Sequence, residues 1–177
     1  MSEFIINERS ECGIPWASRV TWQAANQTVD YHLQGYRADL KHLAIVAREI
    51  KSYLNSVFPI LDELCAHSCP WCPEPCCLKA SVWFDFKDLV FLHFNKLSIS
   101  AAQPKADFKT PCRYLGPRGC RLPRIARPWI CTWYLCPTQT AKLKNGEAHK
   151  RESVEHLIAK IKSGRNLLES EFIRIIS

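Results

Sequence analysis

The stretch TVDYHLQGYRADLKHLAIVAREIKSYLNSV, residues 28–57, carries an apolar repeat at Val29, Leu33, Tyr36, Leu40, Leu43, Ala47, Ile50, Leu54 and Val57. Its steps alternate four and three, the 3.5-residue period of a helical seam that packs on a partner. The pattern predicts one long helix over 28–57, with Thr28 as its N-cap and Pro59 as its stop. At 1.5 Å per residue such a helix spans about 45 Å. Gly35 is the one weak position, costing roughly 1 kcal/mol relative to alanine.

A partner stripe lies at the other end of the sequence. Val154, Leu157, Ile158 and Ile161, then Leu168, Phe172 and Ile175, predict a helix over 151–176, with Gly164 as a point of bending or breakage. The two stripes are expected to pack on each other within one chain, a homodimeric coiled coil being the alternative. Between them, Val82 and Phe84 read as a short strand leading into a helix through Phe86, Leu89, Val90 and Phe94.

Residues 65–77 and 104–137 are different in kind, rich in Cys, Pro, Arg and Trp and without apolar period. Such segments cannot fold on a hydrophobic core alone, and metal binding would supply the missing free energy. Loss of the metal is then expected to expose Trp71, Trp129 and Trp133. The chain therefore reads as one domain, 1–177, mostly α with irregular metal-stabilised loops. Its long N- and C-terminal helices would pack around a cysteine-cluster core at 65–137.

The chain has 10 cysteines in 177 residues, so the compartment decides their chemistry. The start, MSEFIINERSECGIPW, has acidic residues where a secretory signal needs a basic region. No apolar run approaches the ~20 residues of a membrane span. A cytoplasmic location follows as the expectation, and there clustered thiols more often bind metal than form disulfides.

The first cluster is Cys65-Ala-His-Ser-Cys69-Pro-Trp-Cys72-Pro-Glu-Pro-Cys76-Cys77; the second holds Cys112, Cys120, Cys131 and Cys136. Cys69 and Cys72 form a Cys-x-x-Cys pair, whose turn lets both sulfurs reach one ion about 2.3 Å away. The ligand set read here is Cys69, Cys72, Cys76, Cys77, Cys112, Cys120, Cys131 and Cys136, with Cys65 in reserve. Cys76 and Cys77 are adjacent, so they serve two metals, or one binds and the other packs. Cys12 stands alone and reads as a small buried hydrophobe; His67 reads as a solvated loop histidine rather than a ligand.

Lys105, Lys109, Arg113, Arg118, Arg121, Arg124 and Arg127 face only Asp107 within the same run. Four thiolates on one Zn²⁺ leave a net charge of about −2, which such arginines would offset. An acidic protein partner is the next reading, and nucleic acid the weakest. Arg127 is singled out because Pro128 holds it extended. Its guanidinium can then turn back toward the cluster, to a sulfur, a loop carbonyl or a carboxylate. Arg121 and Arg124 read as surface residues.

The order of these residues resembles the YkgJ-type cysteine-cluster proteins, described as a zinc- or iron-chelating domain. The matches are Cys69, Cys72, Cys76 and Cys77, then Cys112 with Leu115, Gly119-Cys120, Arg127-Pro128, Cys131 and Cys136, over residues 65–137. One departure is Pro73-Glu74-Pro75, one residue longer than the family's usual spacing. The resemblance implies an iron–sulfur cluster, [4Fe–4S] being a form open to it, or Zn²⁺. Because relatives include flagellin lysine N-methylases, it also implies metal-dependent methyl or group transfer as an alternative. A zinc-ordered interaction module is a third. Cys65, Cys69 and Cys72 are similar in spacing to the cluster motif of radical S-adenosylmethionine enzymes, but the chain is too short for their barrel. No Gly-rich phosphate loop, Gly-x-Ser-x-Gly or His-Glu-x-x-His motif occurs. Iron–sulfur is favoured over zinc because paired Cys-x-x-Cys motifs, the usual zinc spacing, are absent.

Overall fold

The computed structural model describes residues 13–117 and 119–177, and these are mostly helical. The reading of Cys12 and of the N-terminal segment lies outside them, as does Arg118. The helices are α1 (Arg19–Gly35), α2 (Leu43–Ser68), α3 (Cys76–Lys79), α4 (Phe86–Phe94), α5 (Ile130–Trp133), α6 (Pro137–Asn145) and α7 (Ala148–Ile176). The β-structure of the described residues includes a small antiparallel hairpin, β1 (Leu115–Gly116) with β2 (Gly119–Cys120).

The single helix expected over 28–57 is two helices. Helix α1 starts earlier, capped by Ser18, whose Oγ accepts the Thr21 N–H at 3.1 Å. Thr28 is therefore interior, and its hydroxyl bonds back to the Ala24 carbonyl at 2.8 Å. The helix ends at Gly35, where a Cβ would touch nothing, so no packing offsets glycine's helical cost. The turn that follows keeps the register. The Leu40 N–H still bonds the Tyr36 carbonyl at 3.0 Å, and Leu40, Leu43, Ala47, Ile50, Leu54 and Val57 are all buried.

Pro59 does not stop α2, which continues to Ser68 and carries Cys65 on its last turns. Proline removes the bond to the carbonyl four residues back, here that of Asn55. Asn55 and Pro59 both face solvent, where water can take up that carbonyl. The two apolar stripes do pack on each other: α2 and α7 run against one another, with α4 against α7 and α1. Gly164 lies within an unbroken α7, and a Cβ there would come 2.9 Å from Ile50 Cγ1. Glycine thus permits close helix approach instead of bending the chain.

The core these helices enclose is apolar, with Val29, Ile50, Leu61, Leu89, Ile161, Leu168 and Phe172 among its fully buried members. Phe172 meets Phe86 and Phe94 with ring centroids 5.9 and 6.2 Å apart. The nine described cysteines are half-buried or exposed and lie outside that core. Val82 and Phe84 are buried as expected but belong to no strand. Gln103, itself fully buried, takes the place of a strand partner. Its Oε1 accepts the Phe84 N–H at 2.8 Å and its Nε2 donates to the Phe84 carbonyl at 3.0 Å.

Candidate metal centre

The end of a long helix and two short elements present the first cysteine cluster. Cys65 stands on the last turns of α2, Cys69 opens a 3₁₀ turn (Cys69–Trp71), and Cys76 and Cys77 begin α3. The Cys72 N–H bonds the Cys69 carbonyl at 3.3 Å, closing the Cys-x-x-Cys turn. Proline at positions 70, 73 and 75 removes amide donors that would otherwise extend α2.

The second cluster folds back onto the first. The Cys112 N–H bonds the Cys77 carbonyl at 2.9 Å, and the Cys112 carbonyl accepts the Leu115 N–H at 3.0 Å. Leu115 pairs in register with Cys120 across the hairpin, whose turn needs Gly119 at φ +101°, a conformation closed to most residues. Cys131 follows a turn in which its N–H bonds the Pro128 carbonyl at 2.9 Å. That turn is anchored to the helical core. The Trp129 N–H donates to Asp88 Oδ1 at 3.0 Å, and Arg165 bridges Asp88 and Asp85 at 2.8 Å each, its guanidinium 5.4 Å from the Trp129 ring centroid. Asp88 and Arg165 are both buried. Burial pushes the Asp88 carboxyl up, against the pull of Arg165 and two backbone donors.

All nine described cysteines are free thiols, and burial and neighbouring thiols raise four of them. Burial pushes the Cys69 thiol up to about 11, with Cys65 and Cys76 adding to the rise and the Ser68 hydroxyl opposing it. Cys76 is raised by burial, then by Cys136, Cys72 and Cys65. Cys77 is raised by burial, then by Cys112 and Cys120, while Arg127 pulls it down. Cys131 is raised by burial, then by Cys77, Cys112 and Cys120; the residue still has a solvent-exposed face. The thiols named as raising Cys69 and Cys76 are thus different from those raising Cys77 and Cys131, save for the covalent neighbours Cys76 and Cys77. As they stand, no three of the described His, Cys, Asp or Glu side chains form a group that could hold a metal ion.

Arg127 is extended, with φ −82° and ψ 152°, and its Nε donates to the Leu122 carbonyl at 3.1 Å. Of the three partners expected for it, the loop carbonyl is the one found. Arg124 is not a surface residue as expected. Its Nη1 lies 2.6 Å from Asp62 of α2, its guanidinium sits 5.3 Å from the Phe58 ring centroid, and its side chain is 13% exposed. Lys105 is also buried, its Nζ 3.4 Å from the Leu78 carbonyl. The basic run is thus partly consumed in structure. His67 is exposed, its Nδ1 2.8 Å from the Glu63 carbonyl. Trp71 is 84% exposed and has little packing to lose, whereas Trp133, 44% exposed and edge-on to Tyr134, and the half-buried Trp129 can report loss of packing here.

Gln139 was not foreseen. It is buried, and its Nε2 reaches Ser68 Oγ at 3.0 Å, Cys65 Sγ at 3.5 Å and Cys69 Sγ at 3.7 Å. Its Oε1 accepts the Cys136 N–H at 3.3 Å, and its own N–H caps onto the Cys136 thiol in a capping box at the start of α6. The signal was present as Cys136-Pro137-Thr138-Gln139, a cysteine in the place of the usual Ser or Thr of that box.

The arrangement defines a helical protein with a cysteine-rich lobe of soft sulfur donors, the donor type that suits zinc and iron–sulfur clusters. No family model, curated protein or solved structure matches the chain. Among the described residues, no helix is long and apolar enough to cross a membrane.

Proposed function

We propose that this chain is a metal-binding protein, holding an iron–sulfur cluster, or zinc, through its clustered cysteines. The observation that carries the reading is the meeting of segments remote in sequence: Cys112 hydrogen-bonds Cys77, and Gln139 beside Cys136 reaches Cys65 and Cys69. Free thiols gathered this way have no role in an apolar core, and here they lie outside one. To hold a metal the thiols must lose protons and draw closer together than they stand, and apparent metal-binding energies of about 10–16 kcal/mol for structural zinc in small peptides are available to offset that rearrangement. The cysteine order shared with the YkgJ-type proteins points the same way.

Iron–sulfur is the form we favour, for the lack of paired zinc spacing and for the prolines beside Cys69, Cys72 and Cys136. Anaerobic purification followed by iron, acid-labile sulfide and zinc analysis tests the proposal. The expected result is visible sulfide-to-iron absorption with iron and sulfide in equal amounts. Zinc without sulfide would transfer the reading to zinc. A chain that neither retains nor takes up either metal would overturn it.

A further inference from the structure

Resting on that reading, we infer that the cysteines form two metal sites that part at the Cys76–Cys77 bond. One site is held by Cys69, Cys72, Cys76 and Cys136, the other by Cys77, Cys112, Cys120 and Cys131, and Gln139 is the positioning residue of the first.

Cys76 and Cys77 are the first two residues of α3, and successive side chains on a helix diverge by roughly 100°. Two sulfurs so placed do not converge on one ion. On the Cys77 side, the Cys112–Cys77 bond and the Leu115–Cys120 register fold Cys112 and Cys120 back together. The Trp129–Asp88 bond fixes the turn that brings Cys131. On the Cys76 side, Gln139 ties the end of α2 to the start of α6. A primary amide has two N–H donors, yet three acceptors crowd its nitrogen. A buried amide is costly unless bonded, and a metal-bound thiolate at Cys69 is a stronger acceptor than a thiol. Gln139 is thereby set to hold that sulfur in place, as outer partners do for metal ligands. Cys65 remains a fifth thiol beneath it.

The test is anaerobic titration of the reduced, metal-free full chain with Co²⁺, following thiolate-to-cobalt charge transfer. Absorbance should rise to two equivalents per chain. The Cys120→Ser variant should keep one tetrathiolate equivalent. The Gln139→Leu variant should weaken one equivalent about tenfold or more and shift its charge-transfer band, leaving the other unchanged. Added to Cys120→Ser, it should act on the equivalent that remains. Saturation at one equivalent, or both variants weakening the same one, would overturn the two-site arrangement while leaving metal binding intact. If Cys120→Ser does not fold, the wild-type stoichiometry and Gln139→Leu decide alone. Absence of any cobalt uptake would overturn this inference, while the iron, sulfide and zinc analysis decides the metal-binding reading separately.

Discussion

The paired helices α2 and α7 and the segment 104–137 are built on different physics. Along the helices, apolar side chains at helical spacing bury Ile50, Leu54, Ile161, Leu168 and Phe172 against one another, and every turn adds core. Along 104–137, the regular elements among the described residues are a hairpin of two-residue strands and helical turns of three and four residues. What holds that segment is the packing of Ala126, Leu122, Ile125, Trp129 and Leu135 against the core, together with hydrogen bonds, chiefly Cys112 to Cys77, Arg121 N–H to the Tyr114 carbonyl at 2.8 Å, and Trp129 to Asp88. The comparison teaches that the helices stand on continuous apolar burial, whereas the cysteine segment rests on a few apolar anchors and turn hydrogen bonds; on the proposed reading, metal adds the rest. The Asp85–Asp88–Arg165 network is the joint between the two.

The sharpest contrast should come from Phe172→Ala. Removing a fully buried ring with two aromatic neighbours should cost about 3–5 kcal/mol. Measured by urea unfolding, the loss should be the same with and without metal. A metal-dependent loss would mean that the two regions do not rest on separate physics.

Arg127 probes the lobe from its own side. Its bond to the Leu122 carbonyl, beside Cys77, is charge-assisted and worth about 1.5–3 kcal/mol. Arg127→Ala should therefore destabilise the metal-loaded protein by that order, and Arg127→Lys, which loses the planar fork, should restore only part. Equal stability of all three would reduce Arg127 to a solvated charge.

Arg124 and Arg121 separate the joint from the surface. Arg124 holds Asp62 and covers Phe58 on α2, so Arg124→Ala should cost about 1 kcal/mol in thermal unfolding. Arg121 is exposed, and its replacement by alanine should change stability by less than about 0.5 kcal/mol.

A pH effect concerns the helical region alone. Burial holds the His93 imidazole below its ordinary value of 6.5, with Asp30 opposing, and its Nε2 lies 3.1 Å from Asn26 Oδ1. Above 6.5 both folded and unfolded chains are neutral there, and the full stability is present. As pH falls through 6.5 toward the lower folded-state value, the unfolded chain takes the proton first and stability is lost. The slope is at most about 1.4 kcal/mol per pH unit. His93→Gln should flatten this part of the stability profile; an unchanged profile would remove His93 from the account.

Much of the helical half was legible in the sequence because its information is periodic. The 29–57 stripe gave the buried face of α2 and its partnership with α7, even though Gly35 divides the first helix. The boundaries were not legible, because they depend on three-dimensional exposure. Pro59 stops nothing where its lost hydrogen bond faces water, and Gly164 breaks nothing where it admits Ile50. The cysteine lobe was legible as a list of residues but not as an arrangement. Sequence spacing could not tell that Gln139 reaches across to α2, or that Arg124 is engaged with Asp62. Those depend on contacts across 60 residues or more.

Hydrogen exchange of the full chain, with metal bound and with metal removed, addresses the central claim most directly. The amides of α2 and α7 should be protected in both states. Those of Cys112, Arg121 and Trp129, whose bonds hold the cysteine lobe, should be protected only when metal is bound. Equal protection of these amides in the metal-free chain would contradict the account.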